Sequence, residues 1–208
     1  MDEDIGQVTI DLKSLLDSKL PNMFLLKYYN DLSERRVWLN EDVTDDSMYE
    51  LIHYILKFNQ EDKDIPIEER KPIRLFFNSL GGDLDDQTAI SQFIELSKTP
   101  IYGYGIGVIA SAASLIYMSC HKKFILKGAY FIIHQGSAQL KGNYGDISAA
   151  MDDYNKVIEE MTEFIITRTK FTSDEVREKI KRDWYVRSTE AVEKGLADKI
   201  ITDIDLFY

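Results

Sequence analysis

Three histidines, one cysteine and a few serines in small-residue settings bound the nucleophilic and acid–base chemistry open to this 208-residue chain. Imidazole is the natural base near neutral pH. His53 falls in a helical pattern, and His121 stands beside Lys122-Lys123, where solvent is expected. His134 ends an apolar run, Tyr130-Phe131-Ile132-Ile133, and a polar, glycine-bearing loop follows it. A histidine there is held rigidly while facing a cleft, although a satisfied strand-edge histidine has the same pattern. Ser111 lies in Gly105-Ile106-Gly107-Val108-Ile109-Ala110-Ser111-Ala112-Ala113-Ser114, where a strand runs into a helix through small residues. Such a turn lifts a hydroxyl out at a helix N-terminus, where free N–H groups stabilise an oxyanion. The run is not the Gly-x-Ser-x-Gly elbow of hydrolases, and close helix packing explains it equally well. Ser114 and Ser119 fall inside the helix. Gly81-Gly82, between a strand and a helix, lets a substrate chain approach closely. It lacks the lysine of a phosphate loop, and a plain turn fits it as well. Asp183 is one carboxylate among 36 and says little alone. Cys120, in an apolar stretch, reads as a packing thiol.

The elements that must position these residues alternate along the chain. Arg36 to Leu39 reads as a strand, and Asp45 to Asn59 as a helix with Met48, Leu51, Ile52, Ile55 and Leu56 at helical spacing. Gln60 to Lys71 is a charged surface loop. A buried strand over Ile73 to Phe77 leads into Gly81-Gly82, and a helix over Asp83 to Lys98 follows. Ile101 to Val108 is a strand, Ala110 to Met118 a helix, and Lys123 to Leu126 and Tyr130 to His134 short strands. A long helix runs from Asp146 to Lys170, with Ile147, Met151, Tyr154, Ile158, Met161 and Ile165 as its apolar stripe. It would be about 37 Å long, enough for part of it to project and pack on a neighbour. Thr172 and Glu175 form a possible capping box, Trp184 to Val186 is a strand, Ser188 caps a short helix, and Lys199 to Thr202 is a last strand. The alternation predicts an α/β fold with a largely parallel sheet. Residues 1–34, with a possible strand at Val8 to Ile10 and an apolar Met23 to Tyr29, read as an arm. Residues 35–208 read as one domain.

Composition removes several function classes. The formal net charge is −11, and an acidic surface repels phosphate backbones, so nucleic acid is not expected as a partner. A single cysteine forms no internal disulfide, and the acidic start is not a signal peptide, so a cytoplasmic protein is expected. Thr99 to Cys120 is uncharged and about long enough to span a bilayer, but its three glycines and many small residues favour a buried strand and helix over a membrane span. No metal or cofactor is expected.

Taken in order, the motifs resemble a known family. Asn78-Ser79-Leu80-Gly81-Gly82, the Gly105–Ser114 run, Ile133-His134-Gln135, Arg182-Asp183 and Ser188-Thr189-Glu190-Ala191-Val192-Glu193-Lys194-Gly195-Leu196-Ala197-Asp198 are similar to ClpP, the proteolytic subunit of the ATP-dependent Clp protease. The resemblance covers about Arg35 to Thr202. It implies a crotonase-like fold with a protruding handle helix and strand, and a serine endopeptidase with Ser111 as nucleophile, His134 as base and Asp183 as acid. It puts the oxyanion hole on the backbone N–H groups of Gly81 and Ala112, and Gln135 and Arg182 at the ring interface. It also implies stacked seven-membered rings around a chamber, fed by a Clp-type AAA+ unfoldase. The chain departs from the family at Leu80 and Gly136, both prolines there, and at Lys181, an acidic residue there. Gln60 to Lys71 looks inserted. Two other readings follow from the same residues: a catalytically silent ring subunit acting with an active paralogue, and an acyl-CoA hydratase or isomerase on the shared fold.

Overall fold

The structure, a computed structural model, describes residues 23–136 and 141–207. The chain divides into two compact units after Arg35. In the first, the apolar segment of the arm is a helix, α1 (Met23–Ser33), which exposes Met23, Leu25 and Tyr29. The strand expected at Val8 to Ile10 lies outside the described residues.

The second unit is built on a seven-stranded sheet. Its elements are β1 (Arg36–Leu39), α2 (Asp45–Glu61), β2 (Ile73–Ser79), α3 (Leu84–Leu96), β3 (Ile101–Ala110), α4 (Ala112–Ser119), β4 (Lys122–Leu126), β5 (Tyr130–Ile133), α5 (Tyr144–Arg168), α6 (Ser173–Lys179), β6 (Trp184–Arg187), α7 (Ser188–Glu193) and β7 (Lys199–Ile201). Strands β1, β2, β3, β4 and β7 lie side by side and parallel. Among the described residues, only β5 and β6 pair antiparallel. This is the expected α/β class, with strands apolar enough to be buried: Leu39, Phe77, Ile101, Ile109, Ile125 and Phe131 are fully enclosed.

Helix starts follow their caps. Thr44 and Ser47 bond reciprocally at the head of α2. Asp83 accepts from the N–H groups of Asp85 and Asp86 to open α3. Thr172 accepts from Glu175 N–H at the head of α6 as expected, but the Glu175 carboxylate turns instead to Lys194. Ser188 was expected to cap α7; its hydroxyl donates to the Lys127 carbonyl at 2.7 Å, and the cap position falls on Arg187. A carbonyl within reach of a buried serine competes with its own helix terminus, which spacing along the chain does not reveal. His121 is exposed as expected, and its Nδ1 also accepts from Ile101 N–H at 3.0 Å at the start of β3.

Glu175 links α6 to the end of α7. Burial pushes its carboxyl up, but the hydrogen bonds and charges of Lys194 and Lys179 outweigh that and hold it below the usual range. A depressed carboxyl stabilises the fold above its unfolded value, here 4.5, and the gain is lost as pH falls through the folded value. Glu175→Gln is therefore expected to cost about 1 kcal/mol at pH 7 by urea unfolding, with wild type and variant converging below about pH 4.

The long helix α5 carries its apolar stripe unevenly. Met161 and Ile165 are buried, whereas Tyr144, Ile147 and Met151 in its first half are exposed. On the sheet face bearing Phe76 and Tyr104, the Phe207 ring stacks on both, at centroid distances of 5.9 and 5.4 Å. Among the described residues, no helix is long and apolar enough to cross a membrane.

Candidate active site

Strand β3 changes partners along its length, and that change builds the site. Its first half pairs with β4, from Tyr102 to Gly105. The register against β2 then slips, from Phe77↔Gly105 to Ser79↔Ile109. Gly107 accommodates the slip: the Asn78 side chain lies where a Cβ on Gly107 would be, and its Oδ1 accepts from Val108 N–H at 3.2 Å. Beyond the bulge, Val108, Ile109 and Ala110 pair with Tyr130, Phe131 and Ile132 of β5.

Ser111 is the next residue. Its N–H donates to the Ile132 carbonyl at 2.8 Å, and its φ of 51° lies in the left-handed region that non-glycine residues avoid. It sits as N-cap of α4, one residue beyond the strand, and it is only partly buried. Among the described residues its hydroxyl makes no hydrogen bond. The competing serines are committed. Ser114 Oγ donates to the Ser111 carbonyl at 2.6 Å and Ser119 Oγ to that of Leu115 at 3.3 Å. Cys120 is buried, and burial pushes its thiol well up, which leaves it an unreactive packing group.

His134 follows β5 directly, half-buried, and lines the same cleft as Ser111. The β5–β6 ladder ends at Ile133↔Trp184. His134 and Asp183 are the next residues beyond that last pair, one at the end of β5 and one at the start of β6. The three expected residues thus occupy adjoining strand ends, but no hydrogen bond joins them. His134 Nδ1 accepts from the Gly136 N–H at 3.0 Å, and Asp183 is exposed with no bonded partner among the described residues.

The Gly81-Gly82 turn packs against the serine. A Cβ on Gly81 would stand 2.7 Å from Ser111 Cβ and 2.9 Å from Ala112 N, and φ is +94°. Both facts demand glycine. Gly81→Ala is therefore expected to destabilise by about 2–3 kcal/mol and to abolish reaction at Ser111, read by thermal unfolding and by Ser111 labelling. The Gly81 N–H, expected to face an oxyanion, donates instead to Ser79 Oγ at 3.1 Å. The neighbouring Gly82 bridges Val43 through Gly81 C=O and Asp83 N–H, which turns Gly82's own N–H to the opposite side. Gly82 lines the cleft with Ser111, and Ala112 N–H, at the first turn of α4, has no partner among the described residues. A serine hydroxyl two residues upstream takes the first glycine's N–H and leaves the second. The Gly-Gly pair marks the turn in sequence without showing which amide is free.

Other expected positions are fixed by backbone bonds. Gln135 N–H donates to the Ile180 carbonyl at 2.8 Å, joining the segment after His134 to the end of α6. Tyr154, read in sequence as one more apolar position of the long helix, donates its hydroxyl to the carbonyls of Gln135 and Gly136 at 3.1 and 3.2 Å. Its phenol pins the loop beside His134. Arg182 is exposed with no bonded side-chain partner among the described residues, and Lys181 pairs with Glu178 one turn back on its own segment at 2.5 Å. The cleft is about 600 Å³ and runs between the Gly82 turn, α4 and α5.

Known proteins are similar to this chain. The profile of the family described as Clp protease matches residues 22–203. The chain is 32% identical to "ATP-dependent Clp protease proteolytic subunit 2" of Treponema pallidum over 133 residues, 63% of this chain and 67% of that protein. It is 30% identical to the protein of the same name from Corynebacterium glutamicum over 82% of this chain and 83% of that one. With "ATP-dependent Clp protease proteolytic subunit 1" of Corynebacterium jeikeium it shares 29% over 90% of this chain and 97% of that protein. A mostly parallel sheet whose third strand delivers a serine into a helix N-terminus, and a profile match over nearly the whole chain, lead to one assignment: the chain belongs to the Clp protease family.

Proposed function

We propose that this protein is a serine endopeptidase in which Ser111 is the nucleophile, His134 the general base and Asp183 its orienting acid. The observation that carries the reading is the Ser111 hydroxyl, held at positive φ at the head of α4 beside the N–H of Ala112, neither group having a hydrogen-bond partner among the described residues. Ser111 Oγ attacks the carbonyl carbon of a peptide bond while His134 takes its proton. The carbonyl electrons move to oxygen, and the N–H groups of Gly82 and Ala112 receive that oxyanion. Each such donor is worth about 3 kcal/mol of barrier. The tetrahedral species collapses, His134 returns the proton to the leaving amine, and water releases the acyl group by the same steps.

For this chemistry the imidazole must donate from Nδ1 to Asp183. In the resting geometry Nδ1 accepts from Gly136 N–H, so that bond must break before the triad engages. The proline that the family resemblance puts at this position has no N–H to offer.

The reading extends to assembly. The exposed Tyr144, Ile147 and Met151 on the first half of α5 are the residues a ring-to-ring contact would bury, and the cleft lies beside that half. We infer rings of seven, stacked in pairs by the α5 handle around a chamber in the cytoplasm, with residues 1–34 as an axial or interface arm and a Clp-type unfoldase as feeder. Native mass spectrometry with a fluorogenic-peptide assay tests this. Fourteen or seven subunits and hydrolysis of short peptides support it; a monomer that hydrolyses nothing overturns it.

A further inference from the structure

Between His134 and the long helix α5, one peptide unit is held at both ends. The Gly136 N–H donates to His134 Nδ1 at 3.0 Å. The carbonyl of the same peptide unit belongs to Gln135, and Tyr154 on α5 donates its hydroxyl to that oxygen at 3.1 Å. The unit is planar and trans, so its N–H and C=O point in opposite directions, and whatever fixes one aims the other. Tyr154 also reaches the Gly136 carbonyl at 3.2 Å, and the Gln135 N–H is tied to the Ile180 carbonyl at 2.8 Å. The peptide is thus fixed by α5, by the end of α6 and by the imidazole itself. Glycine is not there to make room: a Cβ on Gly136 would meet nothing within 4 Å. It is there for its φ of +81°, with which the chain turns back and its N–H meets the ring two residues before it.

That contact selects a tautomer. A neutral imidazole whose Nδ1 accepts a hydrogen bond carries its proton on Nε2. With Nδ1 donating to Asp183, Nε2 is the nitrogen that must be bare to take the Ser111 proton. The hydrogen-bonded row from the Tyr154 phenol through the Gln135–Gly136 peptide to Nδ1 therefore holds the ring in the form that cannot serve as base.

We propose that Tyr154 is a positioning residue that acts as a latch on His134, keeping the Gln135–Gly136 peptide turned so that it occupies Nδ1. When the peptide is released, Nε2 gives its proton to water and Nδ1 takes one from water, so the ring stays neutral and the base is bared. The proposal rests on the peptidase reading above and concerns the regulation of that site.

Tyr154→Phe removes the hydroxyl and keeps the ring, and Gly136→Pro removes the N–H. The rate at which a fluorophosphonate labels Ser111 reads the state of the base. Tyr154→Phe is expected to label about fivefold faster than wild type, the factor one neutral hydrogen bond supplies, and Gly136→Pro at least as fast as that. For a fluorogenic peptide, kcat is expected to rise by the same factor with KM within about twofold. A tyrosine that only packs would give the opposite sign, slower labelling once trimmed. Nitrogen-15 NMR of histidine-labelled protein, with His134→Gln assigning the signal, reads the tautomer without reference to activity. The proton is expected on Nε2 in wild type and shifted to Nδ1 in Gly136→Pro. A wild type with its proton already on Nδ1, or variants that label no faster than a wild type that does label, overturns the latch and leaves the peptidase reading standing. No labelling of Ser111 in any of the three proteins overturns both.

Discussion

Ser111→Ala is expected to lower peptide hydrolysis about 10⁴-fold or more, with the protein still folded and assembled. Removing one member of a serine–histidine–aspartate set leaves only the residual rate supplied by the oxyanion donors and binding. Alanine at this position keeps the strained φ of 51°, so stability is expected to stay within about 0.5 kcal/mol of wild type. Ser111→Gly separates chemistry from architecture. It also removes the hydroxyl, so activity falls as far, but glycine occupies positive φ without penalty. We expect it to be more stable than wild type by about 1 kcal/mol in urea unfolding. A stability gain together with lost activity is the signature of a residue held in strain for its reaction. Equal losses of both would mean that Ser111 is merely a packing residue.

Asp183→Asn is expected to lower kcat by about 10⁴-fold with little change in KM. The side chain is exposed and has no bonded partner among the described residues, so its loss is expected to cost no fold stability. Its value arises only when the His134 imidazole turns and Nδ1 becomes a donor. Ile133 pairs with Trp184, and His134 and Asp183 are the residues next to that pair on the two strands, which is the physical basis of the expectation. A variant within tenfold of wild type would show that another group orients the base, and would favour the silent-subunit reading if wild type itself is inert. Unfolding midpoints of wild type and variant, measured alongside, are expected to coincide.

Much of the fold was legible because strand and helix signals along this chain are strong and separate. The strand at Ile101 was readable, but it continues to Ala110, and the helix after it starts at Ala112 rather than Ala110. The discrepancy centres on Ser111, where small residues fit either element and the bulge at Gly107 decides. The order of Ser111, His134 and Asp183 along the chain could be read. Their present lack of mutual hydrogen bonds could not, since it depends on one backbone amide, Gly136 N–H, reaching a ring nitrogen two residues away. Gly81 was expected to supply the oxyanion donor and proves committed to Ser79, a bond that needs three-dimensional geometry to see. The burial of Gln87 and Ser91 was likewise invisible, because two polar residues four apart look like an exposed helix face.

The central claim is that Ser111 is an activated nucleophile. A fluorophosphonate probe, followed by peptide mapping of the labelled protein, tests it most directly. The expected result is a single adduct on Ser111, absent from Ser111→Ala and strongly slowed in His134→Ala. Labelling that persists in Ser111→Ala, or wild-type protein that takes up no probe once assembled, would contradict it.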